Sequence, residues 1–255
     1  MPPPTSQPTR RRAADGAGFD ARRTLPVALL RAAHPRQALL TAAVLAGGAA
    51  MAGRSLREVG LVAAAVLVGQ VILGWHNDVV DEKRDRDHAR QDKPIALGHL
   101  EHGTVTYAIA VAVLLVVPLS IANGIEAGLA HLGILAIALL TNAGLLRRSR
   151  FSYLPWMATY GLFPAFLSYG GWAGEGAGGP PTIALTVLAA LLGIGVHVLR
   201  SLPGLVDDNK DGLTTFPLRI ALRTGAPRLL LVASVYTAVV SAGILIAALR
   251  VGLVQ

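Results

Sequence analysis

The residues of this chain with the clearest capacity for chemistry form a short acidic segment. Asn77, Asp81 and Asp85 are spaced four residues apart, so in a helix they lie on one face, because four residues turn a helix by about 400°. Asp78 lies about 100° from that face and is expected to support the others. Oxygen ligands favour hard cations, and Mg²⁺ typically binds a few carboxylates together with substrate phosphates. The segment therefore predicts a Mg²⁺ site for a phosphate-bearing substrate, with Asn77, Asp81 and Asp85 on its ligand face.

A second acidic group further along the chain offers the same chemistry. It contains Asp207, Asp208 and Asp211, of which the first and last are again four residues apart. Arg90 and Lys93 follow the first segment, and basic side chains bind phosphate oxygens that metal ions leave free. The sequence has no cysteine, and its histidines near the first segment lack the compact spacing of a zinc site. The acids and bases together predict a diphosphate site bridged by metal ions.

The elements that must position these groups are membrane-spanning helices. Of 255 residues, 53% are hydrophobic and only 15% are charged. A membrane helix needs about 20 mostly apolar residues. Seven stretches meet this requirement and predict an all-α transmembrane helix bundle of about seven spans: residues 36–53, 59–78, 103–122, 127–146, 153–173, 182–202 and 227–250. Asn142 and His197 are polar residues inside these spans and are expected to face the bundle interior.

The distribution of basic residues predicts the orientation of the bundle. The net charge is +8, and 20 of the 23 Lys and Arg residues fall in the N-terminal region and in alternate loops, which leaves Arg54, Arg57 and Arg250 on the other side. The positive-inside rule then places the N-terminus and both acidic loops in the cytoplasm. Residues 1–24 are rich in Pro, Arg and Gly and predict a disordered basic cytoplasmic tail. The prediction is a multi-pass protein of the cell membrane that contacts lipids and no nucleic acid, because its basic residues form no single face.

The first acidic segment resembles the signature of a known family. The pattern Asn77-Asp78-x-x-Asp81-x-x-x-Asp85, followed by Lys93-Pro94 and Gly98, is similar to that of the UbiA superfamily of membrane prenyltransferases. The resemblance covers roughly residues 30–250 and implies one transmembrane domain over residues 25–255. It also implies an activity, which is transfer of an isoprenyl group from an isoprenyl diphosphate to a small lipophilic and often aromatic acceptor. Mg²⁺ held between two acidic motifs assists the loss of pyrophosphate in that family.

The resemblance implies roles for individual residues as well. Its implied catalytic residues are Asp81, Asp85 and Asp208. Its implied metal ligands are Asn77, Asp78, Asp81, Asp85, Asp207, Asp208 and Asp211. The residues that it implies for diphosphate binding are Lys93, Arg90, Arg147, Arg148 and Lys210, of which Arg147 and Arg148 lie in a loop that looks like the family's basic cytoplasmic loop.

The chain departs from the family pattern in two ways. In the second motif, Gly212, Thr215 and Pro217 set the family register, which assigns Asp208 to the second acid and Gly204 to the position of the first. The neighbouring acids offer a substitute pair one residue away. The second departure is length, because the family usually has nine spans and seven are predicted here. A homo-oligomer is one way in which such a chain completes its wall.

Other classes of function remain open alongside the enzyme. One is a divalent-cation transporter. The other is a non-catalytic membrane protein, a class that would explain the missing acid at Gly204. Transporters place acids at mid-membrane in broken helices, whereas the acids here lie at the ends of predicted spans. A CDP-alcohol phosphatidyltransferase is not expected, because Asp211-Gly212 is not followed by the Ala-Arg of that motif.

Overall fold

A computed structural model describes residues 23–171 and 178–250. The predicted tail over residues 1–24 lies outside the described residues except for Arg23 and Thr24. The described residues form helices joined by turns. The eleven α-helices in them are α1 (Leu25–Ala32), α2 (Pro35–Met51), α3 (Leu56–Val80), α4 (Glu82–Asp87), α5 (His102–Ile121), α6 (Ile125–Asn142), α7 (Leu154–Ser168), α8 (Ile183–Ser201), α9 (Leu205–Lys210), α10 (Phe216–Thr224) and α11 (Ala226–Arg250).

Seven of these helices correspond to the seven predicted apolar stretches, so the prediction of an all-α membrane helix bundle is confirmed. Five helical segments are long and apolar enough to cross a membrane: α3, α5, α6, α8 with its extension to Lys210, and α11. The other two, α2 and α7, have 17 and 15 residues and are shorter than a straight span of about 20. The bundle is therefore a multi-pass membrane fold of about seven spans.

Local sequence explains where the helices begin. Proline stands in the first turn of α1, α2, α7 and α10, where its fixed φ suits a helix and its missing N–H costs nothing. At the start of α3, the Ser55 hydroxyl accepts from the Glu58 amide, and the Glu58 carboxylate accepts from the Ser55 amide at 3.0 Å. This capping box satisfies donors that the first turn leaves open.

The spans pack mainly against their neighbours in sequence, and α2 also touches α7. Ala49, Val62, Ile134 and Phe166 form part of one buried cluster that joins α2, α3, α6 and α7. Gly193 of α8 lies directly against the backbone of α7, where a side chain would collide with a main-chain carbonyl. Small residues allow such close approach between helices that no hydrophobic effect drives together.

The outer surface of the bundle is apolar, as a lipid-facing surface requires. Leu114 of α5 is 78% exposed, and Val232 and Ile246 of α11 are 65% and 60% exposed. Exposed apolar area on this scale marks a contact surface in a soluble protein, but lipid satisfies it here. The polar residues follow the opposite rule and lie inside the bundle or at its ends.

Candidate active site

The first acidic segment keeps its helical register across the junction of α3 and α4. The amide of Asp81 donates to the carbonyl of Asn77 at 2.9 Å, and the amide of Asp85 donates to the carbonyl of Asp81 at 2.8 Å. Asp81 itself departs from α-helical geometry, with φ −89° and ψ 2°. The predicted spacing of the three oxygen side chains over two turns is therefore confirmed, with a change of helix at the middle residue.

Asp78 lies in the last turn of α3 and is 1% exposed. Its Oδ1 accepts from Nζ of Lys93 at 2.6 Å and lies 3.0 Å from Nε2 of His34. Its Oδ2 is buried without a hydrogen-bond partner in the described part of the chain. Lys93 is buried as well, and its Nζ lies 3.9 Å from Oδ2 of Asp85. The structure thus places the Lys93 ammonium group close to the carboxylates of both Asp78 and Asp85.

Asp81 is held from the side by Arg147. The two terminal nitrogens of the guanidinium bond one to each carboxylate oxygen, the first at 2.9 Å. Arg147 also donates to the carbonyl of Asn142 at 3.2 Å. Its neighbour Arg148 is exposed, and the Arg148 carbonyl accepts from the amide of Thr214. The basic loop between α6 and α7 therefore supplies one arginine to the first acidic segment and joins the region of the second.

The two acidic groups meet through two side chains of α4 and the turn after it. Arg84 donates to Asp208 at 2.8 Å and to Asp211 at 2.6 Å. His88 bonds Asp211 at 2.9 Å through Nε2, and its Nδ1 lies 3.4 Å from Asp207. These contacts show that both acidic groups lie at one end of the bundle and face each other across the basic side chains.

Two predicted diphosphate-binding residues lie at the edge of this arrangement. Arg90 bonds Asp92, and its guanidinium lies 4.0 Å from Asp207. Lys210 is exposed, with Nζ 3.9 Å from Asp207. The Lys210 side chain is 66% exposed, whereas the Arg90 side chain is 38% exposed and is held by Asp92.

Asp85 of the first group and Asp211 of the second lie in environments that shift their pKa in opposite directions. Burial raises the pKa of Asp85, and the nearby charges of Asp81 and Asp78 add to burial while Lys93 opposes it. The hydrogen bond from Arg84 lowers the pKa of Asp211. Burial alone would lower the pKa of Arg84, but its bonds with Asp211 and Asp208 outweigh burial and raise it.

The side chains present fit a hard cation only in part. Among the described residues, no three acidic or imidazole groups converge closely enough to enclose a metal ion, because basic side chains lie between them. Oδ2 of Asp78 and Oδ2 of Asp85 are nevertheless buried oxygens that lack a hydrogen-bond partner within that part of the chain. Buried polar atoms are rarely left unpaired without a role. An all-oxygen donor set with unpaired carboxylate oxygens suits Mg²⁺ that completes its shell with phosphate.

Gly204 stands at the start of the second acidic helix. It ends a 3₁₀ turn, Leu202–Gly204, and caps α9 with φ −97°, which any residue can adopt. Beyond its chain neighbours, no described heavy atom lies within 4 Å of the position where a side chain would begin. An acid at this position would therefore fit without any rearrangement of the backbone.

The polar residues inside the spans face the interior, as predicted. Asn142 donates to the carbonyl of Leu73 at 3.2 Å, which links α6 to α3. His197 is buried in α8, with Nε2 2.9 Å from the hydroxyl of Ser152, and it stacks on Trp156. Both residues connect helices close to the end that carries the acids.

Sequence reasoning missed three side chains of the site, namely His34, Arg84 and His88. His34 precedes Pro35 and caps α2 with a left-handed backbone, φ 51°. This conformation is uncommon for a residue other than glycine and can be seen only in the structure. Arg84 and His88 are four residues apart, so they share a face of α4 and its end. The sequence shows that spacing, but it does not show that the shared face contacts Asp208 and Asp211.

Comparison with known proteins identifies the family and agrees with the fold. The profile of the UbiA prenyltransferase family matches residues 38–254, so the chain belongs to the UbiA prenyltransferase family. No curated protein sequence matches it.

Three structures of a UbiA homologue from Archaeoglobus fulgidus share the fold. The structure bound to GPP and Mg²⁺ has a TM-score of 0.66 at 18% identity and covers 89% of this chain and 80% of the homologue. The structure bound to DMAPP and Mg²⁺ has a TM-score of 0.66 at 20% identity, with 88% and 80% covered. The structure bound to Cd²⁺ has a TM-score of 0.65 at 19% identity, with 89% and 81% covered.

Proposed function

We propose that this protein is an intramembrane prenyltransferase that moves an isoprenyl group from an isoprenyl diphosphate to a small lipophilic acceptor, with an aromatic ring as the favoured kind. The observation that carries the proposal is the meeting of two acidic groups at one end of a membrane bundle, with Arg84, Arg147 and Lys93 bound among them. Carboxylates and guanidinium groups so arranged are the two halves of a metal–diphosphate site.

The homologous structures support the choice of substrate. The Archaeoglobus fulgidus homologue is bound to GPP and Mg²⁺ in one structure and to DMAPP and Mg²⁺ in another. Both ligands are allylic diphosphates, so the loss of pyrophosphate from either leaves a stabilised carbocation. We infer the same class of substrate and the same cofactor for this chain.

In the proposed site, the residues that would hold Mg²⁺ are Asn77, Asp81 and Asp85 in the first acidic group and Asp207, Asp208 and Asp211 in the second. When bound, Mg²⁺ would supply positive charge that stabilises the departing pyrophosphate. The basic residues do the same work on the remaining oxygens: Arg90, Lys93, Arg147, Arg148 and Lys210.

The bond changes are those of an allylic substitution. The carbon–oxygen bond of the isoprenyl diphosphate breaks, and both electrons leave with pyrophosphate. An electron pair of the acceptor forms the new bond to the allylic carbon, and the acceptor then loses a proton. The apolar bundle keeps water from the carbocation, and fixed positive groups at its end stabilise the departing charge.

We also propose that the end with the acids faces the cytoplasm. The structure groups the basic loops at that end, since Arg84, Arg90 and Arg147 all contact the acidic groups. An excess of Lys and Arg marks the cytoplasmic side of membrane proteins. Labelling of single introduced cysteines in intact cells, at positions 87 and 250, tests this orientation.

The activity is tested with purified protein in detergent, Mg²⁺, and geranyl or dimethylallyl diphosphate, by measuring pyrophosphate release with a panel of phenols and quinone precursors. Isopentenyl diphosphate is the matched control, because it is not allylic and does not ionise readily. We expect release from the allylic substrates only and none with a chelator. Equal release from the control, or release without a divalent cation, would overturn the proposed chemistry.

A divalent-cation transporter is separated from the enzyme by a flux assay. The protein in liposomes should carry no Mg²⁺ or Mn²⁺ across the bilayer while it turns over substrate. Cation flux without pyrophosphate release would replace the proposal by the transporter.

A further inference from the structure

A second basic region lies at the same end of the bundle, apart from the acidic groups. It is a pocket of about 290 Å³ between the loop before α7 and helix α10. Its lining residues are Arg150, Phe151, Tyr153, Phe216, Arg219, Ile220 and Arg223. We call it the arginine pocket, because its lining contains three arginines. Its aromatic lining residues, Phe151, Tyr153 and Phe216, form what we call its floor.

The floor of the arginine pocket is fixed by contacts to the bundle. The amide of Phe216 donates to the hydroxyl of Ser152 at 3.1 Å, and Ser152 in turn bonds His197. The rings of Tyr153 and Phe216 lie 5.0 Å apart. Leu218 anchors α10 because it is buried in a cluster with α8 and α11. The pocket is thus part of the folded structure and not a gap between loose loops.

The three arginines have no acidic partner within residues 23–171 and 178–250. Arg150 lies over the ring of Phe151 at 4.7 Å, while Arg219 and Arg223 extend from the exposed face of α10. Like charges four residues apart on a helix repel each other and destabilise it slightly. Arg84 and Arg147 contrast with them, since both bond carboxylates. Three guanidinium groups around one pocket therefore create a place where an anion is stabilising.

We propose that the arginine pocket binds a phosphate group, most simply the headgroup phosphate of an anionic membrane lipid. Guanidinium groups bind phosphate oxygens through paired hydrogen bonds, and basic pockets at the ends of membrane helices bind such headgroups. Leu222 lies on α10 beside the pocket lining and is 67% exposed, so it offers an apolar surface next to the pocket for the start of an acyl chain. A soluble diphosphate would satisfy the same arginines, so the test separates the two sources.

The test compares lipid retention in wild-type protein and in a variant with Arg150→Gln, Arg219→Gln and Arg223→Gln. Each is purified from nanodiscs of phosphatidylcholine and phosphatidylglycerol in a chelator, and bound lipid is counted by native mass spectrometry. The matched control carries Arg36→Gln, Arg57→Gln and Arg228→Gln, which removes the same charge from exposed positions outside the pocket. We expect the pocket variant to retain phosphatidylglycerol about tenfold less well, which is the loss expected for one net bond to a charged group, while the control retains it.

A second measurement identifies the source of the phosphate. If the occupant is a lipid, pyrophosphate without Mg²⁺ does not displace phosphatidylglycerol, and any gain in thermal stability from pyrophosphate at the acidic groups is equal in the wild type, the control and the pocket variant. If it is a soluble anion, pyrophosphate stabilises the wild type and the control more than the pocket variant. Should the triple variant fold poorly, Arg219→Lys and Arg223→Lys keep the charge and remove the paired bonds, and we expect an intermediate loss. Equal lipid retention and equal pyrophosphate response in all proteins would overturn the proposal.

Discussion

The two acidic groups contain the same residue types but differ in how the protein holds them. Asp78, Asp81 and Asp85 are 1%, 7% and 9% exposed, and Asp78 and Asp81 have dedicated basic partners. Asp207, Asp208 and Asp211 are half-buried or exposed, and they share Arg84 and His88. A buried carboxylate that loses its partner is strongly destabilising, whereas an exposed pair contributes little. We therefore expect the first group to be held more firmly than the second.

The difference follows from the elements that carry the two groups. The first group spans the junction of the 25-residue helix α3 with α4, and the segment after α4 contains the buried residues Lys93, Ile95 and Leu100. The second group occupies α9, which has six residues and follows a 3₁₀ turn with Pro203 and Gly204. A short helix with an exposed face cannot bury its acids. If the site works as proposed, the first group should set the geometry and the second should adjust to the ligand.

The largest effect should come from Asp81→Asn. This change removes a proposed metal ligand and leaves Arg147 without its carboxylate, so pyrophosphate release should fall by roughly 100- to 1,000-fold, as when a transition-state charge loses its stabilising group. The matched control is Asp87→Asn in the same loop, since its side chain is 58% exposed and pairs only with Lys83 among the described residues. Similar turnover in the two variants would show that burial of the first group has no part in activity.

A smaller effect is expected from Asp208→Asn in the second group. Asp208 shares Arg84 with Asp211, so its loss leaves the link between the groups in place. Release should fall by about tenfold, which corresponds to one charged hydrogen bond. Most of this loss should come from a higher Mg²⁺ concentration needed for half-maximal release. Steady-state rates over a Mg²⁺ titration measure this, and a loss as large as that of Asp81→Asn would remove the distinction between the two groups.

A gain is expected from Gly204→Asp. The position is open and its backbone suits any residue, so a carboxylate there adds a ligand to the weaker group. The Mg²⁺ concentration for half-maximal release should fall by about threefold to tenfold, because each added carboxylate ligand strengthens an oxygen site. Gly204→Asn has the same size without the charge and should lower the Mg²⁺ requirement less than Gly204→Asp does. An equal response to both substitutions would mean that the added charge does not reach the metal.

The smallest effects concern stability without metal and should have opposite signs. The pKa of Asp85 is raised by burial, so its charged form costs stability, and Asp85→Asn should raise the apparent Tm at neutral pH. The pKa of Asp211 is lowered by Arg84, so its charged form stabilises, and Asp211→Asn should lower the apparent Tm. Each shift should be roughly 1 to 3 °C.

The Asp85 difference should shrink as the pH falls toward the ordinary carboxyl value of 3.8, whereas the Asp211 difference should persist to that value and shrink only below it. Below that value the wild-type Asp85 is protonated in both states and no longer costs stability, and the Asp211 carboxylate is lost as its lowered pKa is passed. Thermal unfolding in detergent with a chelator, at neutral and acidic pH, measures both. Shifts of the same sign would contradict the assigned environments.

The sequence predicted the spans and the register of the first group well, because both depend on local patterns. Hydropathy over about 20 residues locates a span, and a four-residue spacing fixes a helix face whatever surrounds it. It predicted α7 poorly at its end. The predicted stretch ran to residue 173, but the helix ends at Ser168, and the Gly171 amide then bonds the Asn123 carbonyl with φ 100° at Gly171. Aromatic and glycine residues are apolar enough to extend a hydropathy window without continuing a helix.

The contacts within the site could not be predicted in the same way. Lys93 was expected at the diphosphate, and no pattern in the sequence indicates that it lies buried against Asp78. Arg84 bonds residues 124 and 127 positions away along the chain, and His34 lies 44 positions from Asp78. Such pairings depend on how the helix ends are brought together by the whole bundle. Assigning the metal ligands and the diphosphate residues remains a prediction that the variants above can test.

The bond between Arg147 and Asp81 has a consequence for the order in which ligands arrive. A divalent cation that binds Asp81 alone frees a guanidinium with no anion, and a diphosphate that binds Arg147 alone frees a carboxylate with no cation. The free energy needed to break the internal ion pair therefore weakens the binding of either ligand unless the other is present. By thermodynamic linkage, each should raise the affinity for the other by the same factor. The ion pair thus makes the site respond to the metal–diphosphate complex as a unit, and it disfavours either component alone.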